Sequence, residues 1–164
     1  MSKSDKNEEK TNVMRILEQK KLTYESFSYD NTKTNAADIA RAINMDAAAV
    51  YKTLVTAGKS GEHYVFMIPA ESELDLKKAA CAAGEKYVEM ILQRDLLPLT
   101  GYIHGGCSPI GMKKQFRTFI DESALGFEKL CFSAGKVGRQ VRLAPSDLLS
   151  SFPVSPAALT KDNA

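Results

Sequence analysis

The sequence predicts a single α+β (mixed α/β) domain, with a curved, mostly antiparallel mixed sheet surrounded by short helices. Three observations predict it. The chain has 164 residues, 44% of them hydrophobic and 26% charged, which suits one domain with a proper core. Short stretches of alternating apolar residues interleave with short stretches of helical periodicity along the whole length. Adjacent strand segments are separated by short polar or glycine-bearing turns, the pattern of hairpins. No internal repeat, linker or low-complexity block divides the chain. Residues 1–10 read as a flexible polar tail, 11–152 as the domain, and 153–164, with Pro153 and Pro156, as a second tail.

Each element has a local reason. Thr11 or Asn12 can cap a first helix in which Val13, Ile16 and Leu17 share a face. Phe27 and Tyr29 alternate with Ser26 and Ser28, so residues 24–29 read as a strand. Asn35 can cap a helix with Ala36, Ile39, Ala40 and Ile43 in one stripe, and Asp46 a further short turn. Residues 50–56 and 63–68 are two strands of a hairpin, joined by a loop over 58–62. Residues 75–83 are helical, with Leu76, Ala79, Ala80 and Ala83 inward and Gly84 as the stop. A short strand at 87–90 precedes a short helix at 93–97, broken near Pro98. The glycine-rich stretch 101–111 reads as strand, open turn and second strand. Strands at 116–121, 129–133 and 140–143 follow, with a helical turn at 123–125 and a last helix from Pro145 through Leu149.

Composition narrows the function. Lys and Arg number 22 against 20 Asp and Glu, a net charge of +2. That lacks the basic face of a dedicated duplex binder, but leaves room for a local patch at one end of a nucleic acid. No apolar run is long enough to span a bilayer, and the polar N-terminus is not a signal peptide. Cys81, Cys107 and Cys131 are odd in number and widely spaced. They form neither a disulfide framework nor a metal site, and free thiols suit a reducing cytoplasm. No cofactor is expected.

Chemistry concentrates in three places. Residues 101–111 hold Gly101, Gly105, Gly106 and Gly111, with Ser108-Pro109 among them. A second cluster, Ser133-Ala134-Gly135-Lys136-Val137-Gly138, closes a strand, where backbone N–H groups are commonly open to ligands. The third is Lys52. It shares a strand face with Val50 and Leu54, while Tyr51, Thr53 and Val55 make the other face, also largely apolar. A buried ammonium costs several kcal/mol or more unless paired, so Lys52 is either snorkelling at an edge or a cation at the floor of a pocket. Tyr29 ends its strand before Asp30. Cys107 stands three residues from His104 with no acidic orienter, a poor context for a thiol nucleophile. The glycines match neither a dinucleotide fingerprint nor a Walker loop.

Three motifs now combine. They are Tyr51-Lys52-Thr53-Leu54, then Gly101-Tyr102 with Gly105-Gly106-Cys107-Ser108-Pro109-Ile110-Gly111, then Ser133-Ala134-Gly135-Lys136 with Ala144-Pro145-Ser146-Asp147-Leu148. In this order they resemble the YbaK-type Cys-tRNA(Pro) deacylase family, editing domains associated with prolyl-tRNA synthetase. The resemblance covers the chain from about Asn12 to Leu149. It implies a free-standing, metal-free trans-editing hydrolase that removes cysteine from proline tRNA beside the synthetase. It implies catalytic roles for Lys52, Gly105 and Ser133, and substrate contacts for Tyr29, Thr53, Gly106, Ser108, Ala134 and Gly135. It also implies that the substrate's own thiol assists, with no protein nucleophile, and Cys107 falls at a variable position of its motif. Ala134 departs from the family's Ser-Gly-Gly and disfavours a left-handed backbone there. A deacylase for another small amino acid, such as alanine on the same tRNA, and a non-catalytic module for a nucleotide or aminoacyl end stay open as alternatives.

Overall fold

The computed structural model describes residues 10–30 and 35–161. Apart from Lys10, the expected N-terminal tail lies outside the described residues. Helix α1 (Asn12–Gln19) starts where the Thr11 hydroxyl accepts from the Met14 N–H at 3.3 Å. Its Val13, Met14 and Leu17 turn into the core. Strand β1 (Glu25–Ser28) and helix α2 (Ala36–Ala42) follow, and the Asn35 side chain caps the helix by accepting from the Asp38 N–H at 2.8 Å. A 3-10 turn (Ala47–Ala49), capped by Asp46, feeds the hairpin β2 (Tyr51–Gly58) and β3 (His63–Pro69). Next come α3 (Leu76–Ala83), β4 (Val88–Met90), α4 (Gln93–Thr100), β5 (Arg117–Asp121) and a 3-10 turn (Glu122–Gly126). Then β6 (Leu130–Ser133), β7 (Arg139–Leu143), α5 (Pro145–Ser151) and β8 (Val154–Ala157) end the described elements.

The strands are mixed and mostly antiparallel, but the expected single curved sheet is divided in two. One sheet runs β1-β7-β6, antiparallel throughout. The other runs β4-β2-β3-β5-β8; β2 pairs antiparallel with β3 and β4, while β3–β5 and β5–β8 are parallel. An isolated bridge from Val50 to Cys131 spans the divide. The long hairpin is the spine: Val65, Phe66, Met67 and Ile68 are fully buried, and Phe66 stacks on Phe119 at 5.5 Å.

Four further expectations are corrected. Residues 101–116 form no strand. Thr100 Oγ1 takes the Tyr102 N–H at 3.0 Å, the Tyr102 hydroxyl donates to Ile110 O at 2.5 Å, and Gly106 N–H donates to Ile103 O at 3.0 Å. Bonded within itself, the segment is a compact loop with no ladder to offer a sheet. Pro98 lies inside α4 rather than ending it. It has no N–H to give, but Thr100 Oγ1 donates to Leu96 O and Gly101 N–H to Leu97 O, both at 2.8 Å, and these hold the last turn. Leu76 is exposed, because it occupies the first turn of α3, beyond the packed Ala79, Ala80 and Ala83. The C-terminal region is no simple tail: β8 pairs with β5, Leu159 is fully buried, and Asp121 Oδ1 accepts the Leu159 N–H at 3.0 Å. Pro156 suggested a loop, but an edge strand tolerates proline on its unpaired side.

Candidate active site

The site arises where the sheet divides. Strand β4 covers β2 only over residues Thr56 to Gly58. Toward its N-terminal end that edge carries no strand ladder, only the Val50–Cys131 bridge to β6, and a cavity of about 710 Å³ opens in the gap. That lies within the roughly 300–1,000 Å³ usual for small-ligand sites. Strand β2 supplies Lys52, Thr53 and Leu54 to its wall. The glycine loop supplies His104, Gly105 and Cys107, and β6, β7 and their turn supply Ser133, Gln140 and Val137. Tyr29, Asn35 and Ile39 face them from β1 and α2.

Lys52 is half-buried on this wall, opposite Ile68 of β3. Its ammonium has no hydrogen bond or ion pair among the described residues. Burial holds its pKa below the ordinary lysine range, and the charge of Glu73 only partly offsets this. The neighbouring Thr53 Oγ1 is buried and also lacks a partner among the described residues. Both groups therefore bear a desolvation cost that no hydrogen bond among the described residues offsets.

The two glycine turns, far apart in sequence, meet here. A Cβ on Gly106 would lie 3.1 Å from the Val137 nitrogen and 3.3 Å from the Lys136 carbonyl carbon. The backbones pack directly against each other, which only glycine allows. Gly105 remains at the surface with φ +86°, its N–H unengaged among the described residues. Ser133 is 8% exposed, and its Oγ accepts the Gly135 N–H at 3.1 Å, so the hydroxyl proton stays available to a ligand. The left-handed residue of that turn is Gly135, at φ +98°, not Ala134, so alanine fits without strain.

Five expected site residues thus share one cavity: Tyr29, Lys52, Thr53, Gly105 and Ser133. Gly106, Ser108, Ala134 and Gly135 do not line it. Gly106 spends its N–H on Ile103 O, Ser108 Oγ accepts the Ile110 N–H at 3.3 Å, and Ser108 and Ala134 are fully buried. Their part is to shape the turns behind the wall. Gln140 was missed. It is 5% exposed, stands directly across the ladder from Ser133, and donates from Nε2 to the Tyr29 hydroxyl at 3.3 Å. Its Oε1 is buried with no donor among the described residues. A glutamine beside Val141 in a strand buried on both faces was the available signal. Burial pushes the Cys107 thiol up to about 12, so it stays protonated at neutral pH. Among the described residues no cluster of His, Cys, Asp or Glu could hold a metal ion, and no helix is long and apolar enough to cross a membrane.

The family model described as the aminoacyl-tRNA editing domain matches residues 30–150, almost the whole span that builds this cavity. The chain belongs to the aminoacyl-tRNA editing domain family. It is the family that the three sequence motifs indicated. A relative in Enterococcus faecalis, EbsC, is 46% identical over 147 residues, 88% of this chain and 90% of its own. That protein's name proposes it as a Cys-tRNA(Pro)/Cys-tRNA(Cys) deacylase. YwhH of Bacillus subtilis is 21% identical over 120 residues, 73% of this chain and 76% of its own. A crystal structure of a proposed trans-editing enzyme for prolyl-tRNA synthetase aligns over 99% of both chains, with a TM-score of 0.81 at 24% identity. The crystal structure of the hypothetical protein APE2540 aligns over 91% of this chain and 99% of its own, with a TM-score of 0.81 at 20% identity. Both have the editing-domain fold, an α+β domain with mixed sheets.

Proposed function

We propose that this editing domain is a trans-acting deacylase that hydrolyses the ester of Cys-tRNA(Pro), with Cys-tRNA(Cys) as a second substrate. The observation that carries the reading is the unpartnered Lys52 ammonium, in one cavity with the open Gly105 N–H and the Ser133 hydroxyl. The name given to the 46% identical relative supports the same substrates.

An aminoacyl ester is already activated, so positioning and oxyanion stabilisation supply most of what hydrolysis needs. Lys52 orients the ester or the terminal nucleotide. Gly105 N–H donates to the developing oxyanion, since the Gly106 N–H is engaged by Ile103 O. Ser133, Thr53 and Tyr29 hold the aminoacyl end and the terminal adenosine. The substrate's thiol sulfur attacks its own carbonyl carbon, forming a C–S bond. The ester C–O bond breaks, and the thiol proton passes to the ribose oxygen. Water then opens the cyclic thioester to free cysteine. A Cys107 nucleophile is disfavoured, because a thiol titrating at about 12 supplies almost no thiolate at neutral pH.

The small net charge of +2 suits a protein that grips the acceptor end of the tRNA and works beside prolyl-tRNA synthetase in the cytoplasm. A deacylation panel with Cys-tRNA(Pro), Cys-tRNA(Cys), Ala-tRNA(Pro) and Pro-tRNA(Pro) tests the assignment. Release of cysteine from both tRNAs, with prolyl ester spared, is expected. Cleavage of the alanyl ester alone would overturn the cysteine assignment. Tight binding without turnover would make the domain a recognition module.

A further inference from the structure

Among the polar groups of the cavity wall, Gln140 combines deep burial with an acceptor that has no donor among the described residues. It is 5% exposed, and β7 holds it from both sides, against Phe27 of β1 and Ser133 of β6. Its amide nitrogen is engaged by the Tyr29 hydroxyl at 3.3 Å, which fixes the plane of the amide. The oxygen has no donor among the described residues. A buried carbonyl oxygen repels ester, ribose and phosphate oxygens and takes only an N–H, O–H or S–H donor. At the aminoacyl end of the substrate the strongest such donor is the α-ammonium, which must find acceptors when it leaves water.

Building on the deacylase reading, we infer that Gln140 Oε1 accepts a hydrogen bond from the α-ammonium of the aminoacyl ester, so that the site selects substrates with a free α-amino group. Esters whose amine is already acylated, the chemical class of initiator and peptidyl tRNAs, are spared. Gln140 contributes to specificity by touching the substrate, and Tyr29 is the positioning residue that holds its amide.

The test compares kcat/KM for Cys-tRNA(Pro) and N-acetyl-Cys-tRNA(Pro), with wild type, Gln140→Met and Gln140→Glu. Wild type is expected to prefer the free amine by at least about tenfold, the usual size of one charge-assisted hydrogen bond. Gln140→Met, close in shape but without the acceptor, lowers cleavage of the free-amine substrate about tenfold and leaves the acetylated one unchanged, so the preference collapses. Gln140→Glu keeps or widens the preference. Equal losses on both substrates in Gln140→Met would make Gln140 a merely structural residue and overturn the inference. So would a wild type that cleaves both substrates alike, or, should the methionine variant not fold, a glutamate variant whose preference shrinks. If wild type cleaves neither ester, it is the deacylase reading itself that fails.

Discussion

Asp121 and Gln140 are equally buried, each 5% exposed, and their surroundings are opposite. Both carboxylate oxygens of Asp121 are engaged: Oδ1 accepts the Leu159 N–H at 3.0 Å and Oδ2 the Ser123 N–H at 3.1 Å. The acid ties β5 to the 3-10 turn after it and to the chain beyond β8. In the cavity, Gln140 Oε1, Thr53 Oγ1 and the Lys52 ammonium have no partner among the described residues. Buried polar groups in native proteins are normally satisfied, so a cluster of exceptions in one cavity needs a reason. Polar residues at the Asp121 end hold the fold together. Those at the Lys52 end cost stability and are suited to a ligand that satisfies them.

The largest effect expected from breaking that contrast is at Lys52. Lys52→Met should lower deacylation about 100-fold or more, since it removes the only lysine or arginine among the described residues lining the cavity. Its melting temperature should stay level or rise, because a half-buried unpaired charge is gone. The pH dependence carries a sign. The folded pKa of Lys52 lies below the unfolded value, so the unfolded chain binds more protons between the two. Wild-type stability therefore gains as pH rises through that window, and the methionine variant loses this gain. Activity that needs the ammonium falls through the same window, and pH–rate profiles read it directly.

Asp121→Ala comes next, with the reverse pattern. It strands the buried Leu159 N–H and uncaps the exposed Ser123 N–H, and should cost roughly 1–3 kcal/mol in denaturant melts, with activity per folded molecule intact. Glu25 sharpens the contrast from the surface. Its carboxylate receives Arg142 at 3.0 and 2.6 Å and Lys129 at 3.0 Å, and the Arg142 hydrogen bonds, then that of Lys129, pull its pKa from 4.5 to about 2. The stabilisation is present above pH 4.5 and is lost as pH falls toward about 2. Glu25→Gln should flatten that acid slope in thermal melts. Its cost at pH 7 is only about 0.5–1 kcal/mol, because the pair is partly exposed and screened. The smallest effect is Cys107→Ala, where deacylation should change by less than about twofold, as a neutral wall residue allows.

Much of this was legible in the sequence. Caps at Thr11, Asn35 and Asp46 and the β2–β3 hairpin follow from local chemistry, and local chemistry is what sequence patterns report. Lys52 was legible because a charge between apolar neighbours breaks a strand pattern. The cavity itself was not, because it depends on how far β4 extends along β2, a register set by packing between distant segments. The same holds for the contact of Gly106 with Val137, for β8, and for Gln140, whose unpaired oxygen becomes visible only once Tyr29 and Ser133 stand beside it. Glycine richness suggested strands and turns over 101–111, whereas Thr100 and Tyr102 side chains take the hydrogen bonds that a ladder would need.

Thr53→Val is the most direct test, since it deletes one unpartnered hydroxyl while keeping the β-branched shape. Thermal melting and single-turnover deacylation of Cys-tRNA(Pro), measured on the same preparation, should show an equal or higher melting temperature together with slower ester cleavage. A variant that melts lower and cleaves at the wild-type rate would mean that Thr53 serves the fold and not the substrate, and would contradict the division between the two ends of the domain.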